Sequence, residues 1–364
     1  MSKKTKKPAK FLMLGDTHFG ISKDSNWVYN FQYDAIKHFT DYARNNNITT
    51  IIQTGDFFDV RSSISQITLQ RIRTEIMPLF DGLQLITIVG NHDLKHKEMI
   101  HPNSLTEVLG FYSNVTIVDK PTTLLPHGVP IDFIPWICNE NRDDINEFIS
   151  KSKSKTCVGH FELTGYFYYK GLKSSGASNS FLSNYEQVFS GHYHTISSGA
   201  NVLYVGTPYT LTSGDANDER GAWQLEYDKN HKLIYTLVVN DVMNHIKLQF
   251  DADTFDRDTI SEYKNKHVDV TVIKRESSIQ RMDVNILEQL LIDAGVHALR
   301  ITDTINYDGI DIISSDDILI KDNRTLVDDY ISQLDCEQKT KQLVNELFEK
   351  MYIDAVKLKT EVSN

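Results

Sequence analysis

Cysteine is scarce in this chain, and no two cysteines stand at metal-binding spacing. Cys138, Cys157 and Cys336 are its three cysteines in 364 residues. An odd number, far apart and without a Cys-x-x-Cys pair, excludes a disulfide framework or a thiolate zinc site and fits a reducing cytoplasm. Long apolar runs are missing too. None approaches the roughly 18 residues that a membrane span needs. The first ten residues hold five lysines, but Phe11–Leu14 is too short to be the apolar core of a signal peptide. Residues 1–10 therefore read as a flexible basic arm. Positive charge is the third shortage: 38 Lys and Arg face 49 Asp and Glu, a formal net charge of −11. That argues against nucleic-acid binding through a general basic surface. A chain with this balance that acts on DNA needs a local basic groove, bound cations or a partner.

Hydrophobic residues make up 40% and charged residues 24%, as in a globular protein of two or three folded units. Short apolar runs at Phe11–Leu14, Thr50–Gln53, Leu85–Val89, Thr156–Val158 and Gln187–Phe189 predict buried strands. Between them, Ala35, Phe39 and Tyr42 mark one amphipathic helix, and Leu69, Ile72, Ile76 and Leu79 mark another. The alternation predicts an α/β fold, a layered β-sandwich flanked by helices, over residues 11–244. Tyr235–Val239 and Ile246–Phe250 read as further strands. Strands at Val268–Ile273 and Ala298–Thr302 enclose a helix at Val284–Ala294, which predicts a small α+β cap over 245–320. Two amphipathic patterns follow, Leu326–Leu334 and Leu343–Ala355, predicting a helical tail over 321–364. Its apolar faces fit docking on the chain's own core and gripping another protein equally well.

Each of the five early strands is followed by glycine and polar residues: Gly15-Asp16-Thr17-His18, Gly55-Asp56-Phe57-Phe58-Asp59, Gly90-Asn91-His92-Asp93, Gly159-His160 and Gly191-His192-Tyr193-His194. Ligands of open α/β sheets sit at the carboxyl ends of strands, so five such motifs can converge. Asp, Asn and His offer oxygen and imidazole donors that suit manganese, iron or zinc better than calcium. Two cations about 3.5–4 Å apart would polarise one phosphate between them. A lone Asp-x-His or Gly-His is an ordinary turn; five in order, each after an apolar strand, are not explained as turns.

In their order these motifs resemble those of the calcineurin-like metallophosphoesterases. The likeness narrows through Gly55–Arg61, Val89–Leu94, Asp119–Thr123, Ile134–Trp136, Ser190–Ser197 and Gly206–Pro208 to the SbcD-type nucleases, phage-borne members among them. It is dense over Phe11–Trp223 and thin beyond. The resemblance implies the metallophosphoesterase fold and two divalent ions, manganese first, with magnesium or iron as alternatives. It implies that Asp16, His18 and His194 hold one ion, that Asn91, His160 and His192 hold the other, and that Asp56 bridges them. His92 is implied to contact the scissile phosphate and protonate the leaving oxygen, a task that suits an imidazole. Asp59 and Asp93 are implied supports for the ligands, although some relatives carry histidine at the position of Asp59.

The implied activity is exo- and endonucleolytic cleavage of DNA in recombination, replication and double-strand-break repair. The implied partner is an SbcC-type ABC ATPase, whose coiled coil the tail would hold, with the nuclease chains paired as a homodimer inside a hetero-tetramer. The setting is cytoplasmic, in a bacterial host if the chain is phage-encoded. Two rivals use the same motifs: a phosphatase or small-molecule phosphodiesterase, and a non-catalytic scaffold that binds DNA ends. Protein phosphatases of the superfamily carry Glu where this chain has Asp93. Lys95 and Lys97, just after the third motif, and Lys170 and Lys173, in an aromatic segment after the fourth, are candidate DNA contacts. A solvated lysine pair and a covering loop are the plainer readings of these segments.

Overall fold

Strand Ala9–Leu14 alternates its burial partners. Phe11 and Met13 belong to one apolar cluster, Leu12 and Leu14 to another. A strand covered on both faces reads as a continuous apolar run. In the computed structural model, residues 8–169, 172–228, 232–250, 257–275, 284–306 and 344 are described. All of these but residue 344 lie in one unit, 1–311. Residues 1–7 of the expected arm, Lys170, Cys336 and the expected tail apart from residue 344 lie outside the described residues.

Two six-stranded sheets face each other. In the first, strands Ala9–Leu14, Thr50–Gln53, Gln84–Ile88 and Val115–Val118 run parallel, and Gly221–Tyr227 and Leu233–Val239 extend the edge antiparallel. In the second, Ile131–Ile134, Thr156–His160, Gln187–Gly191 and Val202–Tyr204 run parallel, with antiparallel Thr122–Leu124 and Ser197–Gly199 at the edges. Phe11, Met13, Ile52 and Ile88 from one sheet pack on Phe133, Val158, Phe189 and Val205 from the other. This is the layered sandwich that the sequence pattern predicts.

Helices cover both outer faces. Helix Asn26–Asn45 buries Val28, Phe31, Ala35, Ile36, Phe39 and Ala43, spaced three and four apart, on the first sheet. Phe39 is fully buried, so Phe39→Ala would remove about 3–5 kcal/mol. Helix Arg142–Lys151 lays Ile145 and Ile149 on the second sheet against Cys157, Val188 and Tyr204. The second predicted helix departs from one regular element. It starts at Gln66, where the Ser65 hydroxyl accepts the Thr68 N–H at 3.0 Å, then runs as a π turn over Ile72–Ile76 and a 3₁₀ turn over Met77–Phe80. Pro78 has no N–H to continue the ladder. Ile72 and Ile76 are buried as the periodicity requires, whereas Leu69 is 37% exposed.

The cysteines Cys138 and Cys157 are buried thiols without disulfides. Among the described residues no helix is long and apolar enough to cross a membrane. Further along, strands His245–Phe250, His267–Arg275 and Ala298–Asn306 form a separate parallel sheet. Helix Val284–Asp293 packs Leu287 and Leu291 on its Val268, Val270 and Val272, a core of its own. Trp27, near the start of the first long helix, joins this sheet to the sandwich. Its indole stacks on His297 with centroids 4.3 Å apart and donates to the Asn265 carbonyl at 2.7 Å. His245 completes the junction, its Nδ1 3.0 Å from the Thr210 hydroxyl.

Candidate metal centre

Parallel strands of the two facing sheets end side by side, and all five motifs follow those ends. Asp16 and His18 follow Ala9–Leu14, Asp56 follows Thr50–Gln53, and Asn91 follows Gln84–Ile88. From the second sheet, His160 closes Thr156–His160, and His192 and His194 follow Gln187–Gly191. The turns are tight enough to exclude side chains at two glycines. A Cβ on Gly90 would stand 2.3 Å from the Asp56 amide nitrogen, and one on Gly191 would stand 2.5 Å from the Asp16 carboxylate. His18, Asp56 and His192 themselves take left-handed backbone, with φ of 47°, 52° and 88°. Such strain in non-glycine residues is tolerated where a site requires the geometry.

The motifs converge as two triads of potential metal donors. Asp16, His18 and His194 form one and Asp56, His160 and His192 the other, each with its donor atoms within 4.8 Å of one another. His18, Asp59 and His92 make a third group that shares His18 with the first. In the first triad the Nε2 atoms of His18 and His194 face each other at 3.0 Å. In the second, Asn91 Oδ1 lies 3.0 Å from His160 Nε2 and 2.8 Å from His192 Nδ1.

This donor set fits cations. His160 Nδ1 is 2.8 Å from the Thr54 carbonyl, which can only accept, so the ring proton sits on Nδ1. The Nε2 lone pair of the neutral ring then points at Asn91 Oδ1, acceptor against acceptor, and at Asp56 Oδ2 3.3 Å away. A proton or a metal ion must lie between them. The carbonyl behind the ring is the usual device for aiming a metal-binding imidazole.

Charge in the centre leads to the same conclusion. Burial raises the Asp56 carboxyl, but His160, His18 and His92 overcome it and hold it well below the usual carboxylate range. Burial likewise disfavours protonated His160, yet Asp56 and Asp16 raise it to about 9. Asp16 is raised, chiefly by burial and also by the Asp56 charge. His192 and His194 are pushed down to about 3 by burial and by neighbouring imidazoles. A proton on His160 thus offsets buried carboxylate charge in the free protein, and metal binding would displace it.

His92 stands apart from the two triads. Its Nδ1 is 2.6 Å from the Asp59 carbonyl, which leaves Nε2 unclaimed, and its backbone N–H donates to Asp56 Oδ1 at 2.7 Å. Asp59 also turns its carboxylate to His18 Nδ1 at 3.2 Å. Asp93 is fully buried and accepts the N–H groups of Gly90, at 2.9 Å, and Phe58, at 3.2 Å, tying two motif loops together. Burial, with the Asp56 charge adding, pushes Asp93 up to about 7.

The lysines are more scattered. Lys95 Nζ donates to the Ser62 carbonyl at 3.0 Å. Lys97 lines a cavity next to His160. Lys173 lies 5.4 Å over the Phe167 ring and lines a second cavity shared with His192 and His194.

Several supporting residues carry little or no mark in the sequence. Gln53 donates to the Gly15 and Gly55 carbonyls at 3.3 and 2.6 Å and accepts from Thr87 at 2.6 Å, so one side chain braces three strand ends. Its only signal is a polar residue closing an apolar run. Arg220 is buried, donates to the His194 carbonyl, and pairs with Asp215 at 3.0 Å and Asp218 at 3.2 Å. Gln32 donates to the carbonyls of Thr17 and His18 at 2.9 and 3.2 Å. No sequence signal distinguishes either. Trp136, which ends the Ile134–Trp136 motif, sets its ring 5.1 Å from that of His192.

A protein that gathers these donors at the strand ends of a two-sheet sandwich is a metallophosphoesterase. Residues 9–195 match the family of calcineurin-like phosphoesterases, and the chain belongs to it. It is 38% identical over 348 residues to exonuclease subunit 1 of Enterobacteria phage T4, covering 95% of this chain and 99% of that protein. It is 26% identical over 271 residues to the DNA double-strand break repair protein Mre11 of Sulfolobus acidocaldarius, covering 68% of this chain and 67% of that one. The protein of the same name from Sulfurisphaera tokodaii is 25% identical over 278 residues, covering 67% of this chain and 69% of that one. The family resemblance carried by the five motifs is borne out.

Proposed function

We propose that this chain is the nuclease subunit of a DNA recombination and double-strand-break repair complex, cutting phosphodiester bonds with two divalent ions. The observation that carries the reading is the pair of facing triads with His92 held beside them, outside both. Asp16, His18 and His194 would hold one ion, Asn91, His160 and His192 the other, and Asp56 would serve both. The ions, when bound, polarise the phosphate and activate water. Manganese suits the mixed oxygen and imidazole donors, with magnesium or iron as alternatives.

The chain's own groups do the rest. The Asp59 carbonyl fixes the Nδ1 proton of His92, so Nε2 faces the substrate as the atom that carries a proton to the leaving oxygen. Thr54, Asp93, Gln53 and Arg220 keep the ligands in place through backbone and carboxylate contacts. Lys95, Lys97 and Lys173, with Lys170 beyond the described residues, supply local positive charge for a DNA backbone.

An acidic chain loads poorly on DNA by itself, so the reading includes a partner, an SbcC-type ABC ATPase held by the tail at 321–364, and paired nuclease chains in a hetero-tetramer. The place of work is the cytoplasm, that of a bacterial host if the chain is phage-borne. The relatives' names favour this reading over a small-molecule phosphatase, because one is an exonuclease subunit and the other a double-strand break repair protein.

The test uses purified full-length protein with manganese on end-labelled duplex and single-stranded DNA, beside para-nitrophenyl phosphate and bis-para-nitrophenyl phosphate. Cleavage of DNA and of the diester is expected. Hydrolysis of the monoester alone would make the chain a phosphatase, and no metal-dependent hydrolysis of anything would make it a scaffold.

A further inference from the structure

Beside the second triad the surface opens into a cavity of about 380 Å³, which shares His160 with the centre as a wall residue. That is the scale of sites that enclose small organic ligands, roughly 300–1,000 Å³. Its walls are aromatic and half-buried: Trp136, whose ring lies 5.9 Å from that of His160, and Phe181, which meets Phe161 edge-on at 5.9 Å. Its rim is polar. Among the described residues the side chains of Arg142, Asn139 and Asn146 make no hydrogen bond or ion pair, and all three are exposed. Glu98 accepts the Asn139 backbone N–H at 3.1 Å. The charges of Lys97 and Arg142 are matched by those of Glu98 and Glu162, so the cavity is no trap for phosphate.

A neutral pocket with aromatic walls, free amides and a guanidinium, one residue away from a phosphodiester-cleaving centre, has the chemistry of a nucleobase site. A base lies one sugar away from its phosphate, and the pocket lies one imidazole away from the centre. We infer that this cavity receives the base of the nucleotide next to the bond that is cut, a base turned out of its stack. Trp136 and Phe181 give it apolar faces. Arg142 and Asn146 meet its edge, and both can bond in the plane of a ring. This inference rests on the nuclease reading and adds to it a preference for unpaired or easily unpaired ends, since a stacked base cannot enter.

The experiment walks a single abasic residue along an end-labelled oligonucleotide, with manganese and the full-length chain. Wild type, Phe181→Ala and Arg142→Gln/Asn146→Ala are compared by kcat/KM. Wild type is expected to lose about tenfold or more when the abasic residue flanks the cut on one side, the range of one stacked base. Both variants should cut intact DNA with that same loss and show no further loss on the abasic strand. Equal rates for all three proteins on intact DNA, or variant and abasic losses that simply multiply, would overturn the base pocket alone. Wild type that hydrolyses bis-para-nitrophenyl phosphate but leaves every DNA intact would defeat the nuclease reading and the pocket with it.

Discussion

Two clusters of imidazoles lie among the described residues, and they differ in what surrounds them. At the metal centre His18, His92, His160, His192 and His194 are packed among Asp16, Asp56 and Asp59. At the junction with the small sheet, His245, His267 and His297 gather around Trp27, and Asp269, 3.3 Å from His267, is the one acid in ion-pair contact with them among the described residues. The carboxylates decide the outcome. Beside the Asp56 carboxylate, His160 is raised to about 9 despite complete burial, while its neighbours His192 and His194 are driven down to about 3; at the junction, without a close carboxylate, His245 is driven down to about 4 by burial and by His267. The first cluster takes positive charge at His160, where a carboxylate touches the ring, and the junction takes none at His245. Histidine count alone would not tell a cation site from a neutral joint.

The strongest way to break the contrast is to take the central charge from the first cluster. The Asp56 carboxylate influences Asp16, His18, His160, His192 and His194 alike. Asp56→Asn should bring manganese-dependent hydrolysis of bis-para-nitrophenyl phosphate below detection. It should also abolish the rise in melting temperature that manganese gives the wild type, an effect that follows from binding to the folded state. Hydrolysis by this variant at the wild-type rate would sink the two-ion assignment.

A smaller effect separates His92 from its neighbours. His92→Asn should slow hydrolysis by about two to four orders of magnitude, the range for a lost proton donor. Bound manganese, measured by elemental analysis, should stay near the wild-type level, and loss of the ions would make His92 a ligand instead.

At the junction, Trp27→Ala removes a stacked ring and a hydrogen bond from a half-buried site. It should lower stability by about 2 kcal/mol in denaturant titration, less than a buried tryptophan would, and leave diester hydrolysis within a few-fold of wild type. Equal stability would mean that the small sheet is held elsewhere.

The smallest effect is in pH. His245 titrates near 6.5 when unfolded and about 4 when folded, so the unfolded chain binds the extra proton. Its contribution is complete above pH 6.5 and is lost as pH falls from 6.5 to about 4. His245→Asn should flatten the fall in melting temperature across that window relative to wild type. Parallel curves would show that His245 is not neutral in the fold.

Much of the sandwich and of its centre is legible in the order of residues alone. Glycine and a polar group after each apolar run place Asp16, Asp56, Asn91, His160 and His192 at strand ends, because strand runs and turn residues are local signals. The residues that hold those loops are not legible. Gln53, Gln32 and Arg220 act through backbone carbonyls of segments far away in the chain, and a bond to a carbonyl leaves no mark on the partner's identity. The helix after Ser65 reads as regular because Ile72 and Ile76 keep their spacing, although the chain takes a π turn over Ile72–Ile76 and a 3₁₀ turn at Pro78. Trp27 looks like one more apolar position on a helix. Its stacking on His297, far along the chain, is invisible to any local pattern.

The left-handed backbone at His18, Asp56 and His192 has a consequence for how such a protein ages in evolution. Left-handed geometry costs a side-chain-bearing residue about 1–2 kcal/mol and costs glycine almost nothing. At these three positions the chain therefore gives up folding stability to keep a donor atom. A gene copy freed from the need to cut would drift toward glycine there and become sturdier as it lost its chemistry, so that durability and decay of function would arrive together.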